Sequence, residues 1–188
     1  MIIHELCAAL AGRPVIAAVR DESALEAAVD SQCVAVFFLG GSILSLPGWV
    51  EKAKRAGKAA FAHVDLLQGV KADAAALEWC KQAMPLDGVI STRAPLLKAA
   101  RGVGLMTIQR LFLVDSSSLA TGIRLMRATP PDMVEVLPGL VSKAIRTLKL
   151  ELGRPVIAGG MITEAEEAGR ALQAGAIAVS TSQRSLWK

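Results

Sequence analysis

Several residue types that mark common functional classes are scarce or absent in this chain. It has no tyrosine, four phenylalanines and three tryptophans, so it offers few aromatic surfaces on which unpaired bases could stack. Its cysteines, Cys7, Cys33 and Cys80, form no Cys-x-x-Cys spacing. That spacing would be expected of a zinc site, and an odd number of cysteines argues against a disulfide framework. We therefore expect buried free thiols and no metal site.

Long apolar runs are also missing. A run such as CVAVFFL, from Cys33 to Leu39, is far shorter than the roughly 18 residues that a membrane-spanning helix needs. The first stretch, MIIHELCAALAGR, has no cationic lead, contains Glu5 and is not followed by a convincing cleavage site, which is unlike a secretory signal. We therefore expect a cytoplasmic protein with no membrane partner.

Motifs of several enzyme classes are absent as well. The chain contains no Walker loop and no Gly-x-Ser-x-Gly, His-Glu-x-x-His or Gly-x-Gly-x-x-Gly pattern. The nucleotide-binding, hydrolase and zinc-enzyme classes that carry these motifs are therefore not favoured, and no cofactor is predicted. The net charge of +4 and the pI near 9.2 permit an anionic partner without requiring one.

Apolar sequence is abundant: 53% of the 188 residues are hydrophobic and 20% are charged. A chain of this length forms one domain with one core. Short, continuously apolar runs are typical of parallel strands that are covered on both faces, and helical periodicity separates most of them. Eight such runs begin near Val15, Val34, Ala59, Asp87, Gly104, Asp132, Pro155 and Ala176.

Helix signals fall between these runs. Thr163 with Glu166 has the spacing of a capping box, and Gly175 is a C-terminal stop. Other predicted helix starts lie at Asp21, Pro47 and Asp73. This alternation predicts an α/β fold over residues 1–188, a single-domain (βα)8 barrel of the TIM type that is small for its class, with an open doubly wound sheet as the alternative.

Small and hydroxyl-bearing residues follow the last two predicted strands. Gly159 and Gly160 come after the seventh, where the missing side chains let an anion approach the backbone. Ser180, Thr181 and Ser182 come after the eighth and offer hydroxyls and the amides of a short final helix. Because barrels often bind phosphate at these two loops, we predict a phosphate cup here. The alternative is a plain turn and a plain helix cap.

Polar side chains occupy the corresponding ends of the other strands. Carboxylates there would accept hydrogen bonds from ligand hydroxyls, and arginines would clamp an anion, which suits a small polyol phosphate. His63 with Asp65 or Glu135 could instead form the acid–base pair of an isomerase or aldolase. Each residue also has a purely structural interpretation. The set comprises Arg20, His63, Asp65, Ser91, Arg93, Gln109, Arg110 and Glu135.

Basic residues gather in three places and could contact nucleic-acid phosphates. On the residues alone, RNA binding is a minority interpretation because aromatic stacking surfaces are scarce. The groups are Lys52, Lys54, Arg55 and Lys58; Arg93, Lys98 and Arg101; and Lys143, Arg146, Lys149 and Arg154.

Seven stretches taken together resemble the glycerol-3-phosphate-responsive antiterminator family. The likeness extends from Arg13 to Trp187, and its most specific stretches are TIQRLFLVDS and STSQRSLW. The others are PVIAAVRDE, HVDLLQG, DGVISTR, VEVLPGL and PVIAGGMI.

The resemblance implies a cytoplasmic bacterial regulator, not an enzyme, whose small barrel binds the effector glycerol 3-phosphate. It further implies action on the leader mRNA of glycerol catabolism genes, where the liganded protein prevents premature termination. A barrel that serves only protein partners is a further alternative, and a homo-oligomer is left open. Mapped onto this chain, the phosphate ligands would be Gly159, Gly160, Ser180 and Thr181, the glycerol ligands Asp65 and Glu135, and the anion or RNA ligands Arg93 and Arg110. From their positions at the strand ends, we add Ser182 to the phosphate ligands, His63 to the glycerol ligands and Arg20 to the anion or RNA ligands.

Overall fold

The computed structural model describes residues 2–188, which form a closed ring of eight parallel strands. Each strand pairs with the next along the chain, and the last pairs with the first, so the ring has no edge. The strands are β1 (Val15–Val19), β2 (Ala35–Phe38), β3 (Ala59–His63), β4 (Gly88–Ser91), β5 (Met106–Phe112), β6 (Met133–Leu137), β7 (Val156–Gly159) and β8 (Ala178–Thr181). Each begins within two residues of its predicted start. The (βα)8 barrel is therefore confirmed, and the doubly wound alternative is wrong.

Helices alternate with the strands. One precedes β1, and seven connect successive strands: α1 (Ile3–Gly12), α2 (Glu22–Asp30), α3 (Leu46–Arg55), α4 (Ala74–Ala83), α5 (Ala94–Gly102), α6 (Ser116–Ala128), α7 (Ser142–Leu152) and α8 (Ala165–Gln173). Short 3-10 turns follow β3 (Val64–Leu66) and β8 (Arg184–Leu186). Helices of 9 to 13 residues explain how a complete barrel fits into so short a chain.

Local capping explains several helix starts. The Asp21 and Asp73 carboxylates accept hydrogen bonds from the amides three residues later, at 2.8 and 3.1 Å. Pro47 lies in the first turn of α3, as predicted. The predicted capping box of α8 is wrong by one residue: Glu164 is the N-cap and pairs with Glu167. The cause is the Glu167 carboxylate, which accepts hydrogen bonds from the amides of both Thr163 and Glu164.

Apolar side chains fill the ring away from the carboxyl ends of the strands. Phe37 and Phe61 meet edge to face there, with ring centroids 5.6 Å apart. Leu6 and Leu10 of α1 belong to the same buried cluster, so α1, which carries no predicted start signal, packs against the barrel interior. Open space is left at the opposite end, where the strands finish.

Other sequence expectations can be compared with residues 2–188. Cys33 and Cys80 are buried free thiols as predicted, whereas the free thiol of Cys7 is half-buried. None of the helices in this range is both long and apolar enough to cross a bilayer.

Candidate functional site

A cavity of about 160 Å³ opens at the carboxyl ends of the strands. This volume is smaller than the roughly 300–1,000 Å³ of sites for drug-sized ligands, so it suits a small molecule. The lining comes mainly from the ends of β1, β5, β6, β7 and β8 and the loops that follow them: Ala18, Arg20, Leu39, Arg110, Glu135, Leu137, Gly160, Met161, Ile162, Thr163, Ser180, Thr181, Ser182 and Gln183.

Gly159 is the last residue of β7, one position earlier than predicted, and Gly160 follows it. The two positions require glycine for different structural reasons. A Cβ on Gly159 would lie 2.6 Å from the Ser180 hydroxyl and 2.7 Å from a Glu135 carboxylate oxygen, so these two side chains occupy the space beside it. Gly160 has φ +70°, a left-handed conformation that favours glycine. Met161 follows with φ +63°, and two successive left-handed residues turn the chain sharply at the cavity.

This turn leaves main-chain donors uncovered beside the cavity. Among residues 2–188, the amides of Gly160, Met161 and Ser182 have no hydrogen-bond acceptor, although all three residues line the cavity. In the same loops, the Thr163 amide donates to Glu167, and the Gln183 amide donates to the Thr181 hydroxyl. A phosphate group accepts hydrogen bonds from uncovered amides of this kind, and here the amides lie in two neighbouring loops.

Two of the three predicted hydroxyls are engaged in structural hydrogen bonds. The Thr181 hydroxyl donates to the Ile162 carbonyl at 2.6 Å and thereby ties the β8 end to the β7 loop. The Ser180 hydroxyl donates to Glu135 at 2.5 Å. Ser182 is exposed, and its hydroxyl makes no bond to another described residue. Of the three hydroxyls, that of Ser182 is therefore the one free to meet a ligand.

A buried ion pair forms one wall of the cavity. Arg110 Nε donates to Glu135 Oε2 at 2.7 Å, and the two side chains are 6% and 1% exposed. Glu135 Oε1 accepts from Ser180, so both carboxylate oxygens have partners. The terminal guanidinium nitrogens of Arg110 donate no hydrogen bond within residues 2–188, which leaves them available to an anion in the cavity.

Arg20 supplies a second cation. It is exposed at the end of β1, lines the cavity and makes no ion pair within residues 2–188. With Arg110 already paired to Glu135, Arg20 makes the lining net positive. The cavity therefore combines uncovered amides with excess positive charge, which is the chemistry of an anion site.

The predicted residues at the β3 and β4 ends lie outside this lining. Asp65 accepts a hydrogen bond from Arg93 Nε at 2.7 Å and another from the Ser91 hydroxyl at 2.6 Å. Partial burial acts to raise the pKa of Asp65, but hydrogen bonds from Ser91, Arg93 and Thr92 outweigh it, so the pKa is lowered. Asp65 and Arg93 thus form an ion pair beside the cavity.

His63 lies buried at the end of β3. Its Nδ1 has no hydrogen-bond partner within residues 2–188 and is 3.6 Å from Asp65 Oδ2. Burial and the positive charge of Arg110 lower the pKa of His63 to about 4, against a smaller opposing effect of Asp65. His63 is therefore neutral at physiological pH. Gln109, on β5, faces away from the cavity, and its Oε1 is likewise buried without a partner in the described chain.

This histidine predicts a pH dependence of stability. The folded-state pKa of His63 lies near 4, below the roughly 6.5 of an unfolded histidine. The unfolded chain therefore binds more protons between these values, and stability present above about pH 6.5 falls by up to about 3 kcal/mol as the pH drops toward 4. Urea unfolding of the wild type and of His63→Gln at several pH values measures this fall in the free energy of unfolding. The prediction is contradicted if, between these pH values, the free energy of unfolding of the wild type changes no more steeply with pH than that of the variant.

Sequence reasoning missed part of the site. Met161 gave no signal because methionine rarely adopts a left-handed conformation. Gly139 was missed too, although its amide donates to the carbonyls of Gly159 and Gly160 at 2.6 and 3.2 Å and so supports the β7 loop. Its position within VEVLPGL, just past the sixth strand, was the available signal.

The fold and this cavity define a small TIM-type barrel with an open cavity at the carboxyl ends of its strands. Residues 15–187 match the family described as glycerol-3-phosphate responsive antiterminator. The chain belongs to that family, and the family resemblance predicted from the sequence is confirmed.

Individual relatives extend over nearly the whole chain. The uncharacterized protein YgcP of Escherichia coli K12 is 41% identical over 174 residues, covering 93% of this chain and 91% of that protein. A crystal structure of the glycerol uptake operon antiterminator regulatory protein from Listeria monocytogenes has a TM-score of 0.89 at 32% identity, covering 93% and 95% of the two chains. An antiterminator-related protein from Thermotoga maritima has a TM-score of 0.83 at 33% identity, covering 92% and 96%. Several aldolases share the fold alone, at identities of 11 to 13%.

Proposed function

We propose that this protein is a glycerol 3-phosphate-responsive regulator that binds the leader mRNA of glycerol catabolism genes and prevents premature termination of transcription. The observation that carries the proposal is the cavity at the ends of β7 and β8, where uncovered amides and two arginines meet. Family membership supports glycerol 3-phosphate as the ligand, because the family is described as responsive to it.

The ligand's two parts suit different parts of the site. The phosphate would accept hydrogen bonds from the amides of Gly160, Met161 and Ser182, with charge neutralisation by Arg20 and Arg110. The glycerol hydroxyls would meet Glu135, the carboxylate that lines the cavity. His63 and Asp65, predicted as further glycerol ligands, lie outside the lining and would act on the ligand only through neighbouring residues.

The same geometry weighs against an isomerase or aldolase. A general base needs a pKa near the working pH and access to the substrate. His63 does not line the cavity, and its pKa is lowered to about 4. Glu135 is held by Arg110 and Ser180 through both oxygens. A regulatory role that requires binding without turnover fits these side chains better.

The test is a filter-binding titration of in vitro transcribed leader RNA with and without glycerol 3-phosphate. A ligand changes RNA affinity only if it binds the RNA-competent and incompetent states unequally. We expect roughly 5- to 150-fold tighter RNA binding in its presence, the typical range of such coupling. Equal affinities would remove the regulatory claim, and turnover of glycerol 3-phosphate or a triose phosphate by the purified protein would favour the enzyme instead.

A further inference from the structure

Charge is distributed unevenly around the barrel. Helices α5, α6 and α7 carry Glu151 as their single acidic residue, against seven cations: Lys98, Arg101, Arg124, Arg127, Lys143, Arg146 and Lys149. Helices α2 and α8 carry one cation, Arg170, against five acidic residues: Glu22, Glu26, Asp30, Glu166 and Glu167. A chain of modest net charge therefore has one strongly positive side.

Helix α7 directs two of these cations away from the barrel. Ala144, Ile145 and Leu148 form its buried face. At 100° per residue, Lys143, Arg146 and Leu150 lie within about 60° of one another on the opposite face. Leu150 is 83% exposed, so an apolar side chain lies among the cations.

The charged side chains on the two flanks of α7 point toward the neighbouring helices and not outward. Glu151 points toward α6 and is bonded by Arg127. Lys149 lies on the other flank, where its side chain runs past Gly175 at the end of α8. Within residues 2–188, Arg124, Lys143, Arg146 and Arg154 have no carboxylate partner, and all four are exposed. Lys149 has no carboxylate partner either, but its side chain lies toward α8.

Most cations of the other basic groups have partners, although Lys98 of α5 is exposed and has no carboxylate partner within residues 2–188. On α3, Lys52 pairs with Glu26 at 3.1 Å, Lys54 with Asp87 at 2.7 Å and Arg55 with Glu51. On α5, Arg101 is bonded to the Pro130 carbonyl and lies 3.7 Å from Asp132. Pairing with a carboxylate reduces the attraction of a cation for a phosphate, so α3 is a poorer surface for a polyanion.

We infer that the outward face of α6 and α7, formed by Arg124, Lys143, Arg146, Leu150 and Arg154, is the surface that binds the RNA backbone. The inference rests on the proposed function, since it names the place where that function's RNA partner docks. Unpaired, exposed cations bind a phosphate chain by releasing its counterions. Leu150 provides an apolar contact for a ribose or a base among them.

The same face lies close to the effector cavity along the chain. The Gly139 amide bonds the carbonyls of Gly159 and Gly160, and α7 begins at Ser142, three residues later. A Cβ on Gly139 would lie 2.9 Å from the Gly159 nitrogen, so the two loops are in close contact. A ligand that orders the β7 loop therefore acts next to the segment that carries Lys143 and Arg146.

The test compares two triple variants of the full chain. Lys143→Gln, Arg146→Gln and Arg154→Gln remove three unpaired cations of this face, and glutamine retains good helix propensity. The matched control, Lys52→Gln, Arg55→Gln and Arg170→Gln, removes the same charge from exposed residues that are paired to glutamates. Affinity for the leader RNA is measured in the presence of glycerol 3-phosphate over a range of salt concentrations. The thermal stabilisation that glycerol 3-phosphate gives is measured separately for each protein.

We expect the face variant to bind RNA at least about tenfold more weakly and to lose about 2 from the slope of log affinity against log salt. The control should stay within about threefold of the wild type, and both variants should keep the thermal response to glycerol 3-phosphate. Equal losses of affinity in both variants, or no loss in either, would overturn the assignment of this face. Neither outcome would contradict the proposal that the protein binds RNA. A wild-type protein that binds no leader RNA would instead overturn the proposed function, and this assignment with it.

Discussion

Replacing Glu135 by leucine is expected to lower the free energy of unfolding by about 3–5 kcal/mol. Glu135 and Arg110 form an ion pair that is almost entirely buried. Removing the carboxylate leaves the guanidinium without its partner in a low-dielectric wall, and the Ser180 hydroxyl loses its acceptor. Urea denaturation followed by circular dichroism measures the change.

Two further variants identify the cause. The double variant Arg110→Met, Glu135→Leu removes both charges, so most of the lost stability should return. Glu151→Gln breaks an exposed pair with Arg127 and should cost less than about 1 kcal/mol. A Glu135→Leu loss as small as that of Glu151→Gln would show that the buried pair is not a main constraint on the site.

Replacing Gly159 by alanine is expected to eliminate binding of glycerol 3-phosphate and to destabilise the protein by about 2–4 kcal/mol. The new methyl group would lie 2.6 Å from Ser180 Oγ and 2.7 Å from Glu135 Oε1. One of these side chains must move, which breaks their hydrogen bond and displaces the wall of the cavity. Calorimetric titration of the ligand and urea denaturation measure the two effects.

Gly169→Ala provides the matched control. Gly169 lies within α8, and a Cβ there would meet no atom within 4 Å. Alanine in a helix is favoured over glycine by up to about 1 kcal/mol, so this variant should be slightly stabilised and should bind the ligand normally. If Gly159→Ala binds the ligand within about threefold of Gly169→Ala, the close packing around Gly159 does not determine the cavity.

The fold was predictable because the eight apolar runs coincide with the eight strands, and helix signals at Asp21, Pro47, Asp73 and Thr163 fall between some of them. Helix α1 was harder, because Leu6 and Leu10 indicate a core helix only when the open end of a barrel is known. The position of the cavity was predictable for a related reason: in a barrel of known polarity, the residues that follow β7 and β8 must share one rim.

The roles of individual side chains were less predictable. Ser180 and Thr181 are polar residues at a strand end, but their acceptors, Glu135 and the Ile162 carbonyl, lie 45 and 19 residues away in sequence. The direction of each side chain also decides which residues at the strand ends line the cavity. Arg110 turns into the cavity, whereas Arg93 folds onto Asp65, and neither direction is encoded in local spacing.

We expect the uncovered amides after β7 and β8, with Arg20 and Arg110, to form the effector site. Thermal unfolding with glycerol 3-phosphate, glycerol or inorganic phosphate tests it most directly. Glycerol 3-phosphate at 100 times its Kd should stabilise the protein by about 2.7 kcal/mol, which is a rise in Tm of roughly 5–10 °C for a chain of this size. Phosphate should give a smaller rise and glycerol none. No rise with glycerol 3-phosphate, or an equal rise with glycerol, would contradict the account.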